Sequence, residues 1–304
     1  MPSNQNAQKH ILFVINPISG DIDKQDLDAK IEAFAAKHQL QVAFFNTTGE
    51  NDDEHLKAFI AEKKPDIVGA VGGDGTVNLV AKQLVHTKTP LAIIPMGSGN
   101  GLSKDLQIPQ NDIAAALEVL LQYDMVNLDT LEVDGQFFMH LADIGFNARI
   151  VKLFNNSNKR GLLSYLRFTI REFFKYKTTR YVIKTDNGNF SGSAFMITIA
   201  NSNQFGSNLT INPDGKYDDG LFEVIVIKRF PRKKALGLFF RMLFKRINFS
   251  PYCKIIQCRQ AEIFSMRRQT LQFDGEIAGT VKSFKIIINP GSLKVLAPLD
   301  SQAG

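Results

Sequence analysis

Cysteine is scarce in this chain of 304 residues: only Cys253 and Cys258 occur. Two thiols so placed make neither a disulfide framework nor a metal knuckle, and a reducing compartment is the simpler setting. Long apolar runs are missing too. No stretch approaches about 20 uninterrupted apolar residues, so no segment is expected to span a bilayer. The opening Met1-Pro2-Ser3-Asn4-Gln5 carries no base, and the apolar run at 11–15 is too short for a signal sequence. A cytoplasmic protein is expected. Internal repeats are absent, and so are the patterns G-x-x-x-x-G-K-[ST] and G-x-G-x-x-G, which excludes a P-loop and a dinucleotide fingerprint.

What the chain has instead is apolar material and unevenly placed charge. Hydrophobic residues make up 44% of it, enough to bury a large core, and two domains are expected rather than one. The formal net charge is +6, from 36 Lys and Arg against 30 Asp and Glu. Two segments account for it. Residues 152–180 hold eight bases and one acid, Glu172, and residues 228–246 hold eight bases and no acid, leaving 20 bases against 29 acids elsewhere. Negatively charged partners are expected to meet the protein there.

The chain can be laid out around Gly72-Gly73-Asp74-Gly75-Thr76. An apolar run at 67–71 precedes it and Val77-Asn78-Leu79-Val80-Ala81 follows, which places it at a strand-to-helix turn. Glycines permit positive φ and let backbone N–H groups approach a ligand. At a helix N-terminus those groups and the dipole favour phosphate. Asp74 would repel phosphate unless a cation or a donor network stands between them. A magnesium-nucleotide is therefore the first reading, and an ordinary turn with an Asp N-cap the plainer one.

Residues 11–15, 41–45, 67–71 and 91–94 read as buried strands. Between them Leu27, Ile31, Phe34 and Ala35, behind Asp23 as N-cap, then Leu56, Phe59 and Ile60, then the stretch from Val77, recur at helical spacing. This alternation predicts right-handed crossovers and a mostly parallel sheet. Two further small-residue loops follow strands, Asn16-Pro17-Ile18-Ser19-Gly20 and Pro95-Met96-Gly97-Ser98-Gly99-Asn100-Gly101-Leu102. Ligands of open α/β sheets sit outside the carboxyl ends of the strands, so three such loops at one edge predict one crevice.

After a helix over 112–122 the pattern shifts to closely spaced apolar stretches at 125–129, 131–133, 136–140, 181–185, 194–200, 221–227, 252–258, 261–264 and 271–273. With Asp134-Gly135 and Asn187-Gly188 as hairpin turns, they predict an antiparallel sheet or sandwich, with the domain boundary near Asn127. Residues 160–175 and 231–246 interrupt this half, mixing bases and aromatics at helical spacing. That suits helices lying on an anionic membrane surface, where each Lys or Arg contributes about 1 kcal/mol. Core helices with solvated basic faces are the plainer alternative. No recognition motif accompanies the charge, so no nucleic-acid partner is expected.

Taken in order, Asn16-Pro17 with Ser19-Gly20, the loop at 72–76, Gly97-Ser98-Gly99-Asn100, Asp218-Asp219-Gly220-Leu221 and Asp274-Gly275-Glu276 resemble the lipid kinase superfamily that contains the diacylglycerol and sphingosine kinase catalytic domains, including its soluble bacterial members. The resemblance implies an α/β fold in two parts. Residues 1–127 would form a mostly parallel nucleotide domain, to which 287–304 return, and residues 128–286 an antiparallel β-sandwich, with the active site between the two. The implied activity is transfer of phosphate from ATP, with Mg2+, to a hydroxyl of a diacylglycerol- or sphingosine-like lipid. It would occur peripherally at the cytoplasmic membrane face, and a homodimer is left open.

Carried over by position, Asn16, Ser19, Gly20, Gly72, Gly73, Asp74, Gly75 and Thr76 resemble the family's ATP contacts. Ser98 and Gly99 would complete the pocket and Thr47 add a contact. Asp274 resembles the general base and stands with Asp74 as catalytic, while Glu276 resembles a nucleotide or magnesium contact. Asp218, Asp219 and the carbonyl of Leu221 resemble a structural magnesium site, a set of oxygens that suits a hard cation. Asp274-Gly275 taken alone reads equally as a hairpin turn like Asp134-Gly135; the family match separates the two. Bacterial diacylglycerol kinases of this type usually carry Asp after the residue matching Asn100, and this chain has Gly101, closer to the sphingosine kinase branch. A NAD kinase-like enzyme, which shares the glycine-Asp-glycine loop, and a non-catalytic nucleotide- or lipid-binding pseudokinase are the alternatives. Met139, Phe146 and Phe205 are candidates for the lipid cleft, although apolar residues in this half are more often core.

Overall fold

A computed structural model describes residues 8–17, 24–97, 99–110, 112–157, 162–201 and 210–299. The chain divides into two compact units, Met1–Leu128 with Gly291–Gly304, and Asp129–Pro290. Asp23, expected to cap the first helix, lies outside the described residues.

The first unit alternates strand and helix: β1 His10–Ile15, α1 Lys24–Lys37, β2 Gln41–Asn46, α2 Asp52–Lys63, β3 Ile67–Gly72, α3 Asp74–Leu84, β4 Leu91–Pro95, α4 Gly101–Asp105 and α5 Ile113–Glu118. β1, β3 and β4 are buried along almost their whole length, as strands covered on both faces must be. The sheet order is β4-β3-β1-β2, all parallel. α3 packs by a stripe of Thr76, Val77, Val80, Ala81 and Leu84, the spacing one helix face dictates. α5 is shorter than the expected 112–122. Asp112 caps it by accepting from Ala115 N at 3.0 Å, and the chain leaves the helix after Glu118.

The second unit is an antiparallel β-sandwich. Its elements are β5 Asp124–Val133, β6 Gln136–Phe138, β7 Leu141–Gly145, α6 Phe146–Asn155, α7 Leu162–Lys175, β8 Thr179–Thr185, β9 Gly188–Ala200, β10 Phe222–Lys228, α8 Ala235–Leu243, β11 Cys253–Cys258, β12 Gln260–Phe273 and β13 Glu276–Ala297; the ends of β5 and β13 belong to the first unit. The two strands expected at 125–129 and 131–133 are the single β5. Besides pairing with β10 and β13 respectively, β9 and β12 are each long enough to serve two further partners. β8 pairs with the first part of both, at 188–194 and 261–265, and β7 with the last part, at 196–200 and 271–273. Strands that exchange partners in this way turn a sheet back on itself, and the space inside is filled by Tyr181, Ile183, Ile197, Phe222, Val224, Ile263 and their neighbours. A second cluster, including Phe146, Ile150, Met196, Ile225 and Leu238, lies beneath α6 and α8.

The expected Asn187-Gly188 turn is displaced by one residue: Thr185 pairs with Gly188, so Asp186 and Asn187 make the turn. Asp134 and Gly135, at φ 48° and 81°, form the two-residue turn read from the sequence.

Candidate active site

β1, β3 and β4 end at one edge of the first unit, and backbone hydrogen bonds continue past their ends. Asn16 N donates to Val71 O at 3.1 Å, Thr47 N to Ile15 O at 2.9 Å and Met96 N to Gly72 O at 2.8 Å. The residues that follow β1, β2 and β4 are thereby fixed to the sheet. β1 connects through α1 to β2 on one side while β3 lies on the other, so the Asn16 and Gly72 loops flank the point where strand order reverses, the usual ligand position. Ser19, Gly20 and Ser98 lie outside the described residues.

The glycines serve close approach rather than unusual backbone angles. None of Gly72, Gly73, Gly75, Gly97 and Gly99 has positive φ, contrary to the reading from sequence. A Cβ on Gly72 would overlap the Thr76 side chain, one on Gly97 would lie 2.5 Å from Gly73 Cα, and one on Gly99 would lie 2.5 Å from Asp74 Oδ2. Asn100, at φ 53°, locks the second loop: its Oδ1 accepts from Gly97 N at 3.0 Å, and its Nδ2 donates to Gly97 O at 2.7 Å and to Gln110 Oε1 at 3.1 Å. The sequence reading assigned no task to Asn100 beyond its place in the motif.

Gly73, not Asp74, is the N-cap of α3. The Asp74 carboxylate, at the first helical position, accepts from Gly101 N at 2.7 Å. The Asp74 carboxylate is thereby tied to the backbone of the second loop. Thr76 Oγ1 is buried with no hydrogen-bond partner among the described residues, an open polar atom in a glycine-lined cradle. Small residues, an orphan hydroxyl and a helix N-terminus fit a nucleotide phosphate chain.

In the second unit, Asp274 and Gly275 form the hairpin turn between β12 and β13, at φ 49° and 88°. The turn is also a clamp. Asp274 Oδ2 accepts from Met139 N at 2.9 Å, and Oδ1 from His140 N at 3.0 Å and Leu141 N at 3.1 Å, while Asp274 N donates to Leu141 O at 2.8 Å. Three successive backbone N–H groups form an anion-binding nest. A carboxylate has about four acceptor positions, so an acceptor position on Oδ2 remains after these three bonds. Glu276, which opens β13, is exposed.

Beside this turn lies a buried polar group that the sequence reading missed. Asp143 of β7 is fully buried and pairs in register with Gln272 of β12. Its Oδ1 accepts from Thr198 Oγ1 at 2.5 Å, and its Oδ2 from Asn147 Nδ2 at 2.7 Å and Gln272 Nε2 at 2.6 Å. Burial pushes the Asp143 carboxyl up to about 6, against the pull of these three donors. The signal was present as single polar residues inside the apolar runs Ala142-Asp143-Ile144 and Leu271-Gln272-Phe273.

Asp218 and Asp219 are exposed. Asp219 Oδ1 accepts from Leu221 N at 3.0 Å, and buried Asp129 holds the turn by accepting from Gly220 N at 2.7 Å. Gln257 Nε2 reaches both Asp219 Oδ2, at 3.4 Å, and buried Glu223 Oε1, at 3.1 Å. Of the cleft candidates, Met139 and Phe146 are core side chains, and Phe205 lies outside the described residues.

The two basic, aromatic segments meet. Arg232 lies over the Phe174 ring at 5.7 Å and donates to Phe174 O at 2.5 Å, and Phe173 stacks on Phe230. Phe174 is 58% exposed, Phe244 66% and Phe249 72%, with Leu166, Ile170, Leu236, Phe239, Phe240 and Leu243 also open. Arg167, Arg171, Lys175, Lys233, Lys234, Arg241, Lys245 and Arg246 are exposed around them. Among the described residues no helix is long and apolar enough to cross a membrane.

Residues 10–133 match the diacylglycerol kinase catalytic domain, and residues 140–297 match the YegS C-terminal NAD kinase beta sandwich-like domain. The chain belongs to the diacylglycerol kinase catalytic-domain superfamily. It is a kinase of the kind that phosphorylates an alcohol, with lipid kinases as its relatives. A diacylglycerol kinase of Staphylococcus aureus (strain JH9) is 27% identical over 281 residues, 90% of this chain and 87% of that protein. The diacylglycerol kinase of Bacillus subtilis (strain 168) is 26% identical over 229 residues, 73% of this chain and 74% of that protein. The crystal structure of a diacylglycerol kinase from Bacillus anthracis str. Sterne superposes with a TM-score of 0.70 at 19% identity, covering 96% of this chain and 97% of that one, which establishes the shared fold.

Proposed function

We propose that this protein transfers the γ-phosphate of ATP to a hydroxyl of a diacylglycerol-like lipid, working peripherally at an anionic, cytoplasmic membrane face with Asp274 as general base. The observation that carries the reading is the match of the diacylglycerol kinase catalytic domain to 10–133, the stretch that holds the glycine-lined cradle. Bound ATP supplies the phosphoryl group. The chain's own part is positioning and charge. Asn16, Thr47 and the loop from Gly72 to Thr76 border the cradle, the N-terminus of α3 faces anionic oxygens, and Gly101 N–H holds Asp74 where it can face Mg2+. Ser19, Gly20, Ser98 and Gly99 belong to the same pocket in this reading.

Asp274 takes the proton of the lipid hydroxyl at Oδ2, while the three amides on its other positions prevent rotation. Glu276, in the next residue but one, contacts nucleotide or magnesium. Asp218, Asp219 and the carbonyl of Leu221 hold a structural magnesium. Among the described residues no three His, Cys, Asp or Glu side chains converge, so water would complete the shell, as Mg2+ prefers. The exposed faces of α7 and α8 lie on the lipid surface, with aromatic side chains in the interface and bases against anionic headgroups.

The test is a labelled-ATP assay on mixed micelles of diacylglycerol, sphingosine and other hydroxylated lipids, with NAD as a soluble alternative acceptor. Diacylglycerol phosphorylation is expected. Labelling of NAD alone would replace the reading with a NAD kinase, and vesicle binding without turnover would make the protein a pseudokinase. General-base catalysis typically contributes 10²- to 10⁴-fold, so Asp274→Asn should lose roughly that much turnover while still binding ATP. Near-normal activity in that variant removes Asp274 from the role.

A further inference from the structure

We infer that Gln272 is a positioning residue for the base turn, tying the Asp274-Gly275 peptide to the buried carboxylate of Asp143. The inference rests on the reading of Asp274 as general base and extends it to residues with no assigned part. Gln272 Oε1 accepts from Gly275 N at 3.0 Å, and the same side chain donates through Nε2 to Asp143 Oδ2 at 2.6 Å. The turn is thus held on two sides: the Asp274 carboxylate by the amides of 139–141, and the Gly275 amide by Gln272.

The far end of the tether is rigid. Asp143 is itself fixed by Thr198 of β9 and Asn147 of α6, and Tyr165 of α7 donates to Asn147 Oδ1 at 3.4 Å. Asp143, Thr198 and Gln272 lie on strands paired in register through β7, and a register shift between Leu271 and Gln272 marks the pairing of β12 with β13. A hydrogen-bonded network around a buried carboxylate favours one geometry, and a base must hold its oxygen within hydrogen-bond reach of the hydroxyl it deprotonates. A Gln in the middle of an otherwise apolar strand end is costly to bury unless both ends of its amide are used. Here both are, and one of them ends on the catalytic turn.

Two substitutions separate positioning from mere packing. Gln272→Met keeps the volume and removes both hydrogen bonds. It is expected to lower kcat tenfold or more, toward the roughly 100-fold that a 1 Å misplacement costs, with KM for ATP unchanged. Hydrogen exchange of the ligand-free protein should speed up at the amides of 139–141 and 275. Gln272→Glu keeps the acceptor for Gly275 N but sets a second carboxylate against Asp143. Among the described residues, Asn147 and Thr198 around that pair are uncharged, Tyr165 is itself pushed up by burial and by Asp143, and the turn adds the Asp274 carboxylate, held by the amides of 139–141. Two carboxylates sharing one site hold a proton between them, so this variant should lose turnover as the pair loses its proton, a pH profile displaced from that of the wild type, where Asp143 alone titrates there.

Wild-type kcat and wild-type exchange in Gln272→Met would overturn the tether. If Gln272→Met does not fold, a Gln272→Glu enzyme with the wild-type pH profile overturns it instead. Full turnover by Asp274→Asn would strike at the base reading alone, and the exchange measurement, made without substrate, would still decide whether Gln272 holds the turn.

Discussion

Asp134 and Asp274 are the same local object, an Asp-Gly pair with both residues at positive φ closing a two-residue hairpin. They differ in what the carboxylate meets. Asp134 Oδ1 accepts one amide, Lys285 N at 3.0 Å; Asp274 takes three consecutive ones. That difference lies in residues 139–141, far away in sequence and acting through their backbones, so neither composition nor spacing could show it. The glycine loop was legible as a place but not as a mechanism, because the need is steric. Gly97→Ala would force a Cβ against the Gly73 backbone, which cannot give as a flexible side chain can. A loss of about 1–3 kcal/mol is expected, visible in chemical denaturation. Gly75→Ala, with open space around it, should leave stability unchanged or raise it through helix propensity. Asp143 adds a pH term. Its carboxyl is raised from an ordinary 3.8 to about 6 in the folded chain, so its contribution is complete below about pH 4 and is lost as pH rises through about 6, in total about 3 kcal/mol. Denaturation midpoints should decline over that window in the wild type and run flatter in Asp143→Asn, whose amide can donate to Thr198 and accept from Asn147 and Gln272.

At the scale of elements, the four parallel strands and their helices were readable because buried strands are apolar runs and each helix shows one apolar face. β7 and α6 were not. Asp143 interrupts the apolar run of β7, and the N-cap of α6 is Gly145, φ 108°, with no side-chain cap, so no Ser, Thr, Asp or Asn marks its start. The segment at 231–246 was read as one helix, whereas a 3-10 turn, Arg232–Lys234, precedes α8 and a second, Ile247–Phe249, follows it. The amphipathic reading itself does not depend on those bounds. Phe240 stacks on Phe244 at 6.3 Å with both rings open, and aromatic surface of this kind is costly to leave in water. Phe244→Ser should therefore weaken binding to anionic vesicles at any salt concentration while leaving the melting temperature unchanged. An unaltered vesicle affinity would remove α8 from the membrane face.

For the molecule as a whole, the net charge of +6 is the small difference between two large terms. Residues 152–180 and 228–246 together carry 16 bases and one acid, and the remainder carries 20 bases and 29 acids. A protein with that distribution is attracted to an anionic surface through one region and repelled from it by the rest, so electrostatics should orient it as well as hold it. This much was legible from the sequence; that Arg232 joins the two segments by lying over Phe174 was not, because nothing in their spacing links residues 174 and 232. Each base near an anionic surface contributes about 1 kcal/mol, so Lys233→Gln with Lys234→Gln should weaken vesicle affinity by about 2 kcal/mol, roughly 30-fold. Raising salt from about 0.1 M to about 1 M shortens the screening length from about 10 Å to about 3 Å. Sedimentation with anionic vesicles should show the wild type losing most of its binding over that range, and the double variant losing less because less of its affinity is electrostatic. Salt-independent binding by the wild type would mean that the aromatic face alone holds the protein, and that the uneven charge serves some other partner.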